Sequence, residues 1–210
     1  MKPLLIWGCG GLGREVLVIA ENLGIEVLGF LDERPEMKGQ IVEGLPIIGD
    51  LNDYDASKSN VDVTFGIGDP FLKSRLYHKT INNGFQISPP LIHPSVIYTK
   101  RGFEIGPGSV ICAGSALMVQ VKLGIAININ QLCSIGHDCK MGDFVTVSPG
   151  VMISGNVSIG NLTFLGTGAV IREKINIGEQ SIIAGAAFIG KDVPDKVLMA
   201  GVPAIEKRKL

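Results

Sequence analysis

From Ile105 onward every sixth position is aliphatic, through Ile111, Leu117, Leu123, Ile129, Ile135, Met141, Val147, Ile153, Ile159, Leu165, Ile171, Ile177, Ile183 and Ile189. A period of six is a multiple of neither the helical nor the heptad repeat, so an α-helix and a coiled coil are both excluded. Six residues do hold one short strand and a turn. Three such units close a triangular coil, and coils stack at the ~4.8 Å spacing of paired strands so that each aliphatic residue packs on its equivalents above and below. The repeat therefore predicts a parallel β-helix. The residue after the aliphatic one is often glycine, as at Gly106, Gly124, Gly136, Gly142, Gly160, Gly166, Gly178 and Gly190, which reads as the turn between strands. Two positions before it stand small or β-branched residues, among them Ser109, Ser115, Val121, Cys133, Cys139 and Val145, which suit a crowded corner.

The amino-terminal part has a different rhythm. Leu4 to Trp7 read as a buried strand running into Gly8-Cys9-Gly10-Gly11-Leu12-Gly13, after which Val16, Ile19, Ala20 and Leu23 recur at helical spacing until Gly24. A second strand, Glu26 to Leu31, ends at Asp32-Glu33. That is where a nucleotide-binding βαβ unit puts an acid able to meet ribose hydroxyls. Glycines in such a turn let backbone amides at the positive end of the helix approach a phosphate; the alternative is that they only permit close packing of helix on strand. Val61 to Ile67 predict a third strand, and Gly68-Asp69-Pro70 opens a second helix with Asp69 as N-cap. Ligands of open parallel sheets lie beyond the carboxyl ends of the strands. Gly8, Gly10, Gly11, Leu12, Gly13, Asp32, Glu33 and Gly68 are thus expected to line one nucleotide pocket. Too few residues precede the repeat for the two halves that embrace a dinucleotide, so a mononucleotide or its sugar conjugate is expected. Tyr54 and Lys58 have the Tyr-x-x-x-Lys spacing of short-chain dehydrogenases but precede the third strand, and read as surface loop.

The formal net charge of −1, with no basic stretch interleaved with aromatics, argues against nucleic acid as a partner. The apolar run at the start is too short for a signal peptide or a membrane span, and Cys9, Cys112, Cys133 and Cys139 show neither metal nor disulfide-scaffold spacing. These features predict a cytoplasmic protein.

The unbroken hexads, the βαβ unit, the junction Leu91-Ile92-His93-Pro94-Ser95, the segment Asn130-Gln131-Leu132-Cys133-Ser134-Ile135-Gly136-His137-Asp138-Cys139 and the closing Gly201-Val202-Pro203-Ala204 together resemble the hexapeptide-repeat bacterial sugar acetyltransferases. That family includes sialic acid O-acetyltransferases and UDP-amino-sugar N-acetyltransferases. The resemblance covers nearly the whole chain. It implies a small Rossmann-like domain (residues 1–90) before a left-handed parallel β-helix domain (residues 91–210), a homotrimer with sites between neighbouring β-helices, and acetyl-CoA as co-substrate. It also places CoA along Gly155, Thr167 and Gly185, with Lys207, Arg208 or Lys209 at its phosphates. Leu12 departs from a frequent histidine of the glycine turn. Thr146 stands where some members carry a second histidine that contacts the thioester, and is a further cofactor-binding candidate.

Of the three histidines, His78 falls on a solvent-facing helix, His93 at the start of the repeat, and His137 beside a turn on a coil. Transfer from a thioester needs an unprotonated attacking atom, and an imidazole is the side chain suited to taking that proton near neutrality. His137 is therefore the candidate general base. By resemblance Asp138 supports its imidazole, while Asn130 or a backbone amide would serve the oxyanion. A zinc carbonic anhydrase on the same fold would need three histidine ligands, which one histidine in the coils does not supply, and no metal is expected. A non-enzymatic scaffold or ice-binding face would present a flat threonine array, whereas Thr146, Thr163 and Thr167 are scattered. The expected reaction is acetylation of the amino group of a UDP-linked 4-amino-sugar in bacterial glycan or polysaccharide biosynthesis; acetylation of a sugar or sialic acid hydroxyl is the alternative.

Overall fold

The computed structural model describes residues 1–54 and 60–210. Lys58 of the Tyr-x-x-x-Lys pair lies outside the described residues.

The chain begins with β1 (Leu4–Trp7), α1 (Gly11–Asn22) and β2 (Val27–Leu31), followed by the hairpin of β3 (Ile41–Val42) and β4 (Leu45–Gly49), then β5 (Asp62–Phe65), α2 (Pro70–Asn82) and β6 (Gln86–Ile87). The sheet order is β3-β4-β2-β1-β5-β6, parallel throughout except for β3 against β4. The strand expected over 61–67 is shorter, because Gly66 and Ile67 leave the sheet at its carboxyl edge. Asp69 caps α2 as its sequence suggests, its carboxylate accepting from the Leu72 amide at 2.8 Å. The β3–β4 hairpin was not anticipated. Its turn has Glu43 and Gly44 at φ 47° and 77°, the two positive values of a type I′ turn.

From Leu91 the chain winds as a left-handed parallel β-helix with three faces. The first carries Val110–Ile111, Asn128–Ile129, Thr146–Val147, Phe164–Leu165 and Ile182–Ile183. The second carries Ile97–Tyr98, Ala116–Leu117, Ser134–Ile135, Met152–Ile153, Val170–Ile171 and Phe188–Ile189. The third carries Glu104–Ile105, Lys122–Leu123, Lys140–Met141, Ser158–Ile159 and Asn176–Ile177. Every aliphatic position of the hexad series points inward, fully buried from Ile111 on and partly so at Ile105. The small corner residues are buried too and tie successive coils: Ser115 Oγ donates to the Asn130 carbonyl at 2.9 Å and Thr163 Oγ1 to that of Gly178 at 2.8 Å. An antiparallel hairpin, Val197–Gly201 with Ala204–Lys209, closes the end.

The repeat glycines work differently from the sequence expectation. They do not occupy the left-handed turn position, which falls two residues later and is mostly filled by other residues, such as Gln120 (φ 59°), Leu132 (58°), Asp138 (59°) and Phe144 (61°). Each costs roughly 1 kcal/mol of backbone strain, which the stacked coils hold in place. The glycines are required by crowding instead: a Cβ on Gly136 would lie 2.5 Å from the Gly155 nitrogen of the next coil.

The sheet sits on the first face. The core beneath α1 includes Leu91, Val110 and Cys112, and the core beneath α2 includes Ala126 and Phe144, so the two parts of the chain share apolar contacts. No helix among the described residues is long and apolar enough to cross a membrane.

Candidate active site

The carboxyl ends of β1, β2 and β5 open into a cavity of about 390 Å³ lined by Gly8, Cys9, Gly10, Asp32, Glu33, Arg34, Gly66, Ile67 and Arg75, among others. The glycine turn divides its labour. Gly10 and Gly11 have open space where a Cβ would stand. Gly13 would collide with the Gly8 carbonyl, and Gly66 would meet the Gly13 backbone, so these two serve the close approach of helix and strands. Close packing of helix on strand therefore accounts for Gly13 and Gly66, and leaves Gly10 and Gly11 without a packing role. Gly11, Leu12, Gly13 and Gly68 do not line the cavity; Leu12 is half-buried on α1.

The two acids do lie there, already partnered by residues that the sequence did not single out. Arg34 holds Asp32 through Nε at 2.9 Å and Nη2 at 2.8 Å, and this guanidinium keeps the carboxyl below its usual range. Cys9 Sγ donates to the same carboxylate at 3.3 Å, and burial with that neighbour pushes the thiol up. Arg75 forks onto Glu33 at 3.0 and 2.5 Å, with Lys79 adding a contact at 2.7 Å, which brings the Glu33 carboxyl down to about 2. Arg75 and Lys79 stand four apart on α2, a spacing that could have marked them as one face. The cavity thus presents paired acids and guanidinium groups beside the glycine turn.

The coil residues fall on two edges of the prism. At the edge between the second and third faces, His137 is half-exposed and its Nδ1 lies 2.7 Å from Asp138 Oδ2. Neighbours along an extended strand would diverge. The left-handed conformation of Asp138 turns its carboxylate back onto the ring. Gly155, one coil on, faces the other nitrogen: a Cβ there would stand 2.5 Å from His137 Nε2. An imidazole held at Nδ1 with Nε2 open is suited to accept a proton. Asn130, Thr167 and Gly185 lie instead on the edge between the first and second faces. Asn130 is buried, with Nδ2 donating to the Val147 carbonyl at 2.9 Å. Within one chain, then, no contact joins Asn130 to His137 among the described residues.

Thr146 is not on a groove. Its outward position on the first face is covered by α2, and its Oγ1 accepts from the buried Lys73 Nζ at 2.9 Å. That burial is incompatible with the cofactor contact expected of it. His78 is exposed on α2, and His93 Nδ1 is engaged with Ser95 Oγ at 2.8 Å. Cys133 and Cys139 are buried at corners; burial pushes the Cys133 thiol up to about 11, which disfavours a thiolate nucleophile. Lys207 to Lys209 lie exposed on the terminal strand.

A nucleotide-sized cavity at a parallel sheet edge, followed by a left-handed β-helix bearing a carboxylate-held histidine on an open edge, defines the hexapeptide-repeat acyltransferase class. Residues 3–80 match the PglD N-terminal domain. The acetyltransferase domain of PglB from Neisseria gonorrhoeae, solved with acetyl coenzyme A, is 32% identical, with 98% of each chain covered and a TM-score of 0.88. A mutant of perosamine N-acetyltransferase from Caulobacter crescentus, solved with CoA and GDP-perosamine, is 28% identical over 100% of this chain and 98% of its own, with a TM-score of 0.92. GDP-perosamine N-acetyltransferase of Escherichia coli O157:H7 is 28% identical over 97% of this chain and 96% of the relative. The chain belongs to the hexapeptide-repeat bacterial sugar acetyltransferases and uses acetyl-CoA as its acetyl donor.

Proposed function

We propose that the protein transfers the acetyl group of acetyl-CoA to the amino group of a nucleotide-linked 4-amino-sugar, with His137 as general base. The observation that carries this reading is His137, fixed by Asp138 at Nδ1 and open at Nε2 over Gly155. The amine lone pair attacks the thioester carbonyl carbon while Nε2 accepts an amine proton. The tetrahedral intermediate then expels the CoA sulfur, which takes that proton from the imidazolium. Asp138 stabilises the imidazolium, and Asn130 or a coil amide donates to the oxyanion. The nucleotide occupies the cavity of Asp32, Glu33 and Gly10, within a Rossmann-like domain of residues 1–90 that precedes the β-helix domain of residues 91–210. CoA runs along Gly155, Thr167 and Gly185.

These last residues lie on both edges that flank the second face, and the outward side chains of that face support a homotrimer that unites the edges. Ile97, Met152 and Val170 are 69%, 44% and 40% exposed in a single ladder with Ala116, Phe188 and one polar member, Ser134. A second copy covering this ladder would bring its Asn130 edge towards the first copy's His137 edge. The amine acceptor is favoured by the relatives named for N-acetylation of GDP-perosamine. The glycine turn and Asp32 are equally compatible with a UDP conjugate, the nucleotide expected from the sequence.

Release of free thiol from acetyl-CoA, followed with UDP- and GDP-linked 4-amino-sugars, the same conjugates bearing a hydroxyl, and free sialic acid, tests the proposal. Turnover confined to amino-sugar conjugates is the expected result. Turnover with a hydroxyl acceptor instead would overturn the choice of acceptor, and equal turnover with the free amino-sugar would remove the nucleotide cavity from the reaction.

A further inference from the structure

Lys73 is a lysine with no exposed surface, standing on α2 where the helix meets the first face of the β-helix. Its Nζ donates to Thr146 Oγ1 at 2.9 Å and to the Val145 carbonyl at 3.3 Å. Beside Thr146 in strand register is Asn128, also buried, whose Nδ2 donates to the Ile67 carbonyl at 2.8 Å. Ile67 lines the nucleotide cavity, as do Leu72, Arg75 and Leu76 of α2. On the other side, Thr146 leads into Val147, whose carbonyl accepts from both Nδ2 and the backbone nitrogen of Asn130 at 2.9 Å. Two polar bridges therefore run from the walls of the cavity to the strand that seats Asn130.

The arrangement is a costly way to hold two surfaces together. Both acceptors of Lys73 are neutral, and Asn128 Oδ1 is a buried acceptor with no hydrogen-bond donor on it among the described residues. Unpaired buried charge and unsatisfied buried oxygen each lower stability relative to apolar residues of the same volume. The interface already has an apolar seam in which Tyr77 meets Phe144 edge-on at 5.4 Å. What directional bonds add to such a seam is a single register, since apolar contacts tolerate sliding that hydrogen bonds do not.

We propose that Lys73, with Asn128 and Thr146, is a positioning element for acetyl transfer: it fixes the nucleotide cavity at one distance from the Asn130 strand and so sets where the amine of a cavity-bound conjugate is delivered. The inference rests on the nucleotide-sugar reading. Lys73 touches neither donor nor acceptor in this scheme, so it is a positioning residue. A displacement of about 1 Å at the reacting atoms is enough to cost on the order of 10- to 100-fold in rate.

The test uses Lys73→Met, which keeps the volume and removes the buried ammonium, and Thr146→Val, which removes one acceptor with almost no change of shape. Each is made in the full chain, without and with spin labels at Asn82→Cys and Lys122→Cys. The proposal expects both variants to broaden or shift the inter-label distance distribution, a readout independent of the acceptor. It also expects kcat for the nucleotide-linked acceptor to fall at least tenfold, while the affinity for UDP or GDP alone and the KM for acetyl-CoA stay within about twofold. An unchanged distance distribution overturns the proposal whatever the substrate proves to be. A loss of nucleotide affinity parallel to kcat also overturns it, because that would mark a merely structural role. Failure of wild-type protein to accept any nucleotide-linked amine would count against the functional reading, leaving the label distances to decide the clamp.

Discussion

The second and third faces of the β-helix share one inward ladder and differ only outside. Towards the core, Leu117, Ile135 and Ile153 of one face are matched by Leu123, Met141 and Ile159 of the other. Outward, the second face shows Ile97, Ala116, Ser134, Met152, Val170 and Phe188, one polar residue among six, whereas the third shows Glu104, Lys122, Lys140, Ser158 and Asn176. The inward residues specify the coil and are indifferent to what the outer surface meets. The outer residues decide that, and the apolar face is the one bounded by the edges of His137 and Asn130.

The sharpest way to break this asymmetry is to charge one face at a time. Val170→Asp is expected to abolish self-association and reduce turnover at least ~1000-fold, because an unpaired carboxylate would be buried where copies meet. Lys140→Glu on the opposite face should leave both within about twofold, as solvated surface changes do. Light scattering beside the thiol-release assay reads both. Next in size, His137→Ala is expected to lower kcat by about 100-fold or more with folding and self-association intact, and Asp138→Asn by roughly tenfold. Gly155→Ala should displace the imidazole it faces and cost about tenfold in kcat, since a well-packed contact of this kind carries ~1–3 kcal/mol of strain.

The smallest effects are pH-dependent and belong to the sheet side. The Glu33 carboxyl is lowered from 4.5 to about 2 mainly by Arg75. Its pairing therefore stabilises the fold above pH 4.5, and that contribution is lost as pH falls through about 2. The stability difference between wild type and Arg75→Met, read from unfolding midpoints, should shrink across that interval. Lys73 shows the same direction with pH for the opposite reason, since folding penalises its charged form instead of favouring it. Burial, opposed by the charge of Asp69, lowers its ammonium from 10.5 to about 7, so the folded state carries fewer protons than the unfolded state between those values. Wild type should therefore gain stability relative to Lys73→Met as pH rises from about 7 towards 10.5.

The same contrast explains what was legible in the sequence. Inward residues repeat every six positions because each coil repeats the same cavity, so the β-helix could be read from Ile105 to Ile189 in the sequence alone. The βαβ unit was legible for a similar reason: Gly8, Gly13 and Gly66 answer to backbone proximity, which leaves a compositional trace. His137 and Asp138 were found as a pair, but the turn that joins them was not, because a left-handed aspartate carries no sequence signature of its own. Thr146 was misplaced because its cover comes from α2, more than sixty residues away in the chain. Arg34, Arg75 and Lys73 were missed on the same ground: a partner brought by tertiary contact has no period.

The central claim is that the site forms between copies, His137 of one meeting the Asn130 edge of another with the Asn130 amide as the oxyanion donor of the two candidates, and subunit mixing tests it most directly. His137→Ala and Asn130→Ala proteins, each nearly inactive alone, would be denatured together, refolded as mixed assemblies and assayed for thiol release. Sites assembled between copies predict recovery of about a quarter of wild-type turnover, the statistical share of interfaces that receive both intact residues in a cyclic oligomer. No recovery, with mixed assemblies confirmed by mass, would place the whole site within one chain and contradict the account.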